Sequence, residues 1–109
     1  MQFNDYQAAA LRTAAILTKQ ANLVNAALGL AGEAGEVADL VKKHLYQGHP
    51  LTVGKLALEI GDVLWYLAQI SSALDLSLGD VAQANLDKLA ARYPNGFDPG
   101  RSINRGEGA

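Results

Sequence analysis

The stretch Leu56-Ala57-Leu58-Glu59-Ile60-Gly61-Asp62-Val63-Leu64-Trp65-Tyr66-Leu67-Ala68-Gln69-Ile70-Ser71-Ser72-Ala73-Leu74 carries only two charges, Glu59 and Asp62. Residues three apart share one face of a helix, with Cβ atoms about 5–6 Å apart. A helix apolar around most of its circumference is expected to be buried. Buried carboxylates without partners cost several kcal/mol each, so they require cations or protons. The chain repeats the pattern at Glu33 and Glu36, within the apolar run Leu23 to Leu40. Two acid pairs on two apolar helices read as a container for a divalent metal ion.

The bulk composition fits one small folded domain. The chain has 109 residues, half of them hydrophobic, which is a globular rather than a disordered composition. A core of this size is limited, so an oligomer that buries more apolar surface is expected. The formal net charge of −2 gives no general basic field for duplex nucleic acid or an anionic membrane. Cysteine is absent, which excludes disulfides and thiolate metal sites and fits a cytoplasmic location. The N-terminal residues lack the basic and apolar segments of a secretory signal. Leu56–Leu74 approaches spanning length, but its two acids, Gln69, Ser71 and Ser72 argue against lipid.

Four helices are readable. The first is expected from a capping-box spacing at Asn4 and Gln7 to about Thr18, with Tyr6, Ala9, Ala10, Ile16 and Leu17 as its apolar positions. The second follows a cap at Asn22 and runs to about Tyr46, where Gly48, His49 and Pro50 break it. The third opens after Thr52 and ends near Asp75. The fourth runs from Ser77 to Tyr93 and stops at Pro94-Asn95-Gly96. Residues 1–105 make one helical domain, with an irregular or single-turn segment after Phe97 and a flexible tail over 106–109. Short connections between long helices predict an all-α, antiparallel four-helix bundle.

Reflecting Glu59 and Asp62 across a turn near Gly48 lands close to Glu33 and Glu36, to within about a helical turn, roughly 5 Å. Four carboxylates then surround one cavity. Oxygen-only ligands suit Mg²⁺, with Mn²⁺ as a substitute, and disfavour zinc. Asn85, Lys88 and Arg92 share one face of the fourth helix. Folding that helix back brings Lys88 to the level of Asp62 and Arg92 to that of Glu59. Carboxylates opposite lysine and arginine describe a metal–polyphosphate site.

These residues resemble the signature of the MazG-like, all-α nucleoside triphosphate pyrophosphohydrolase superfamily. Glu33-x-x-Glu36 and Glu59-x-x-Asp62 carry the resemblance, together with Leu28-Gly29-Leu30-Ala31-Gly32-Glu33-Ala34-Gly35-Glu36-Val37-Ala38-Asp39. Asn85-Leu86-Asp87-Lys88-Leu89 and the ending Arg92-Tyr93-Pro94 to Arg105 extend it over nearly the whole chain. The resemblance implies Mg²⁺-dependent cleavage of a nucleoside triphosphate between the α and β phosphates, giving a monophosphate and pyrophosphate. It implies Glu33, Glu36, Glu59 and Asp62 as metal ligands, and Asn85, Lys88, Arg92 and Arg105 as phosphate contacts. It also implies a homo-oligomer, a tetramer in preference to a dimer, and a role in clearing unwanted nucleotides. Many relatives read Glu-Glu-x-x-Glu where this chain has Gly32 first. Glu33 is therefore the expected catalytic residue, orienting the attacking water while sharing a metal; the alternative is a metal-bound hydroxide that attacks unaided.

Other readings compete. Phosphoribosyl-ATP pyrophosphohydrolases use a related scaffold, which the Gly29–Glu36 and Ser102–Arg105 text disfavours. A di-iron bundle needs Glu-x-x-His pairs, and none occurs. A non-catalytic helical module with a structural cation is the remaining alternative. Lys42, Lys43, His44 and His49 read as solvated surface, Asp39 as exposed or standing behind the ligands, and Trp65 and Tyr66 as core or subunit interface, with Tyr66 also on the metal face at i+4 from Asp62. Gln7 and Asn25 are the expected contributors to base selectivity.

Overall fold

The computed structural model describes residues 1–15 and 17–105. Along them run α1 (Phe3–Ala10), a 3-10 turn (Leu11–Thr13), α2 (Lys19–Tyr46), α3 (Val53–Ala73), α4 (Leu78–Arg92) and α5 (Pro99–Ile103). No strand occurs among the described residues, only an isolated bridge between Pro94 and Gly96. The fold class is all-α, as the sequence implies. The chain divides into two compact units, Met1–Leu78 and Gly79–Ala109. Ile16 and the expected tail 106–109 lie outside the described residues.

In the first unit α2 and α3 form an antiparallel hairpin, and α1 packs on α3. Gly48 takes a left-handed conformation at φ +70°, which glycine adopts without steric cost. The N–H groups of Gln47 and His49 both donate to the Lys43 carbonyl, at 3.0 and 3.1 Å, and close the end of α2. The N-cap of α2 is Thr18, whose hydroxyl accepts from the Ala21 N–H at 3.1 Å. The expected cap, Asn22, lies inside the helix and donates to the Leu17 carbonyl instead.

The first helix is shorter than its pattern predicts. It begins at Phe3, after a reciprocal cap between Gln2 and Asp5 rather than Asn4 and Gln7. It gives way at Ala10, because the Ala10 carbonyl is taken by other donors. The Thr13 hydroxyl donates to it at 3.2 Å, and the buried Gln69 amide donates from α3 at 3.2 Å. Such side-chain bonds compete with continuation of the helix.

The core gathers Ala10, Ala68 and Leu78, with Tyr6, Leu64 and Trp65 packed on it. Gln7 joins three elements there. Its amide nitrogen donates to Ser72 Oγ and to the Leu76 carbonyl, and its oxygen accepts from the Leu78 N–H at 2.7 Å. Lys19 pairs with Asp75, whose backbone is left-handed at φ 56°.

The apolar circumference of α3 is not buried all round. Leu58 is 73% exposed and Ile60 55%. The physical reason is a shortage of neighbours: within the first unit α2 and α1 cover only part of a helix whose side chains are apolar in every direction. Leu28 of α2, 71% exposed, shares this condition.

In the second unit, the expected single turn after Phe97 is α5, capped by Asp98, whose side chain accepts from the Gly100 N–H. The Tyr93 and Phe97 rings lie 5.5 Å apart, and the Arg92 guanidinium sits 5.9 Å from the Tyr93 ring centre.

Candidate metal centre

Two constraints fix the register between α2 and α3. The turn at Gly48 is one. The other is Gly29, whose backbone lies against the Tyr66 ring so closely that a Cβ there would overlap Cε1 and Cζ and lie 2.8 Å from Cδ1. The ring is itself held: it meets Trp65 edge-on at 5.0 Å and 89°, and Trp65 Nε1 donates to Thr13 Oγ1 at 2.9 Å. Gly29 lies one turn before Glu33, and Tyr66 one turn after Asp62. The close approach at Gly29–Tyr66 therefore sets the gap between the helices where the acids stand.

Within that gap, one carboxylate oxygen from each of Glu33, Glu59 and Asp62 lies within 4.8 Å of the other two. Glu33 and Glu59 are half-buried and Asp62 is exposed. The site is a partly open groove, not the dry interior that an all-apolar α3 predicts. The cause is the same lack of cover that leaves Leu58 and Ile60 in water. Glu36 is exposed and stands outside the three-carboxylate set.

The electrostatics record the crowding. The Glu33 carboxyl is raised above the ordinary glutamate range, first by a hydrogen bond shared with Glu59, then by burial and by the charges of Asp62, Glu59 and Glu36. Like charges brought together disfavour ionisation. Tyr6 is raised too, chiefly by burial and then by the charge of Asp62. Its place at the margin of the site carries no signal in the sequence, where it reads only as an apolar position of α1. An all-oxygen set whose members repel one another fits a hard divalent cation, which removes the repulsion and leaves positions for water and phosphate.

Asp39 is half-buried and binds Lys43 at 2.8 Å and Lys42 at 3.3 Å; those lysines hold its carboxyl below the usual range. Gln7, expected to select the base, is instead fully engaged in packing α1 against the α3–α4 turn. Asn25 is exposed, beside Ala21, Val24 and Leu28 in a shallow hollow of α2. Asn85, Lys88 and Arg105 are exposed and Arg92 is half-buried, all in the second unit.

Residues 22–97 match the family model of the MazG nucleotide pyrophosphohydrolase domain, a span containing all four acids, Asn85, Lys88 and Arg92. The chain is also 43% identical over 82 residues to the Gene 37 protein of Mycobacterium phage L5, covering 72% of each chain. No solved structure matches. Among the described residues, no helix is long and apolar enough to cross a membrane. With the matched span over most of its length, the chain belongs to the MazG nucleotide pyrophosphohydrolase domain family.

Proposed function

We propose that this chain hydrolyses nucleoside triphosphates, ribo or deoxy, between the α and β phosphates, releasing a monophosphate and pyrophosphate. One observation carries the reading: Glu33, Glu59 and Asp62 converge within 4.8 Å, in a chain of a nucleotide pyrophosphohydrolase family. These three, joined by Glu36, would hold Mg²⁺, or Mn²⁺ in its place. Bound there, the ion supplies charge stabilisation at the phosphate oxygens and acidifies a water molecule.

The chain's own groups do the rest. Glu33 would orient the attacking water while sharing the ion; with Gly32 before it, no second acid stands in that position. Glu59 shares a hydrogen bond with Glu33 and orients its carboxylate. Asn85, Lys88, Arg92 and Arg105 bind phosphate oxygens in this proposal, as charge-assisted donors suited to them. A second copy of the chain covers the apolar side chains left in water, among them Leu28, Leu58 and Ile60, in a homo-oligomer that completes a four-helix arrangement, a tetramer in preference to a dimer. Exposed apolar surface of this kind marks an association site.

The test is a panel of ribo- and deoxynucleoside triphosphates with Mg²⁺, with phosphoribosyl-ATP as a further arm and all products identified. The expected products are monophosphate and pyrophosphate. Glu59→Gln and Asp62→Asn should each lower kcat/KM by a hundredfold or more, about 2.7 kcal/mol of transition-state stabilisation. Orthophosphate release, or full turnover in both variants, refutes the assignment. Light scattering gives the oligomeric state.

A further inference from the structure

The closed end of the α2–α3 hairpin holds a second group of charged side chains, apart from the carboxylate set. Lys43, His49, Thr52 and Lys55, over an apolar floor of Leu40 and Leu51, line a cavity of about 190 Å³. The cavity is built on a fixed turn. Gln47 and His49 both bond to the Lys43 carbonyl, and His44 Nδ1 lies 2.9 Å from the His49 carbonyl oxygen, so that nitrogen carries the proton.

The cavity lining itself holds two lysines and no acid. Lys42 and Lys43 share the single carboxylate of Asp39. Lys55 has no hydrogen-bond or ion-pair partner among the described residues. It stands in the first turn of α3, where the helix dipole disfavours a cation, and that turn holds no acid. The Thr52 hydroxyl makes no cap bond to α3. Two further acids stand along the helices: Glu36, whose charge is felt at both Lys43 and Glu33, and Glu59, one turn beyond Lys55 and a member of the three-carboxylate set. A solvated lysine at a helix end needs no explanation. Two lysines, a histidine and a free hydroxyl around one rigid cavity, with a cation at the wrong end of a helix, are relieved together by one anion.

We propose that this cavity is a metal-independent site for a phosphate-class anion, orthophosphate or pyrophosphate. It lies on the same seam as the acids, four residues from Glu59 along α3, about 6 Å, and seven from Glu36 along α2, about 10 Å. If the proposed reaction holds, its pyrophosphate product can pass to this cavity along the groove. That role rests on the proposed reaction, whereas the site itself does not.

The experiment is a titration of the ¹⁵N-labelled full chain in EDTA, with sodium pyrophosphate, sodium phosphate and sodium chloride at matched ionic strength. Saturable amide shifts at His49, Thr52, Val53 and Lys55 are expected with pyrophosphate or phosphate and not with chloride. The arm that saturates at lower concentration names the preferred anion. Lys55→Gln should weaken binding about tenfold or more, the size of one charge-assisted hydrogen bond. Lys55→Arg should restore it, and Lys42→Gln, outside the cavity lining, should change it less. No saturable shift below about 10 mM, equal shifts with chloride, or unchanged affinity in Lys55→Gln overturns the site. The nucleotide panel reports separately: saturation without turnover leaves the site standing and removes only the pyrophosphate role.

Discussion

Substituting alanine for each of three glycines of α2 tests the register of the hairpin. Gly29, Gly32 and Gly35 occupy the same helix, and replacing any of them gains about 0.8–1 kcal/mol of helix propensity. Their surroundings differ. A Cβ at Gly32 or Gly35 meets nothing within 4 Å, whereas one at Gly29 overlaps the Tyr66 ring. The ring has little room to retreat, because its edge meets Trp65 and Trp65 is bonded to Thr13. Overpacking of this kind costs about 1–3 kcal/mol. Gly32→Ala and Gly35→Ala should therefore stabilise the chain by about 0.4–1 kcal/mol. Gly29→Ala should come out between neutral and about 2 kcal/mol destabilising.

The difference between Gly29→Ala and Gly32→Ala is the informative quantity, because propensity cancels and the clash remains. At about 4 °C per kcal/mol for a chain of this length, the two midpoints should differ by about 4–12 °C. Urea denaturation with Trp65 fluorescence measures the same gap. In a Tyr66→Ala background the penalty at Gly29 should vanish, a coupling of about 1–3 kcal/mol. The Gly29→Ala variant should also show a smaller Mg²⁺-induced midpoint shift, since helices forced apart at this level separate Glu33 from Glu59 and Asp62. If Gly29→Ala and Gly32→Ala agree within about 0.5 kcal/mol in the wild-type background, no clash distinguishes the two sites. Tyr66 then does not lie on Gly29, and the derived register is wrong.

Gln7→Ala should destabilise the chain by about 2–3 kcal/mol in urea, since three hydrogen bonds are lost and the Leu78 N–H is left without its acceptor; an altered base preference at unchanged stability points instead to a role in the substrate cleft. Thr13→Val should cost about 0.5–1.5 kcal/mol and shift Trp65 emission, as the indole loses its acceptor. Without metal, the raised Glu33 carboxyl contributes stability that is complete below the ordinary glutamate value of about 4.3 and is lost as pH rises through its raised value. Thermal midpoints in EDTA should fall over that interval and Mg²⁺ should remove the fall; the lowered Asp39 acts in the opposite sense, losing its contribution as pH drops through its lowered value.

The sequence showed the hairpin better than it showed what surrounds the hairpin. Glu33 and Glu59 meet because the turn is short and fixed at Gly48, so counting residues back from it was sufficient. The length of α1 was illegible for a different reason. Its alanines favour a helix, and what ends it is the claim of Thr13 and Gln69 on the Ala10 carbonyl, one of them 59 residues distant. Gln7 has polar character suited to a cleft, and only its three partners disclose a packing role. Lys43 and Lys55 each have an ordinary reading as helix-end charges; their joint cavity depends on the turn that folds one back toward the other. Glu36 shows the limit of spacing rules: i, i+3 keeps Glu59 and Asp62 in one set, yet the same spacing on α2 leaves Glu36 outside it.

The misjudged burial of α3 and the openness of the acid groove have one cause. Apolar composition around a helix states how much cover the helix requires, not how many neighbours its own chain provides. α2 and α1 are the helices that pack on α3 within the first unit, so Leu58 and Ile60 remain in water. The same partial cover leaves Asp62 exposed while Glu33 and Glu59 are half-buried. Partial burial is what makes the set useful: full burial would drive the carboxylates to hold protons, and full exposure would let water screen their repulsion. In the intermediate setting the crowding raises the Glu33 carboxyl above its ordinary range, and a divalent cation among the same oxygens would relieve it. Ion and proton compete for the same oxygens, and the gap fixed at Gly29–Tyr66 keeps those oxygens close enough for either.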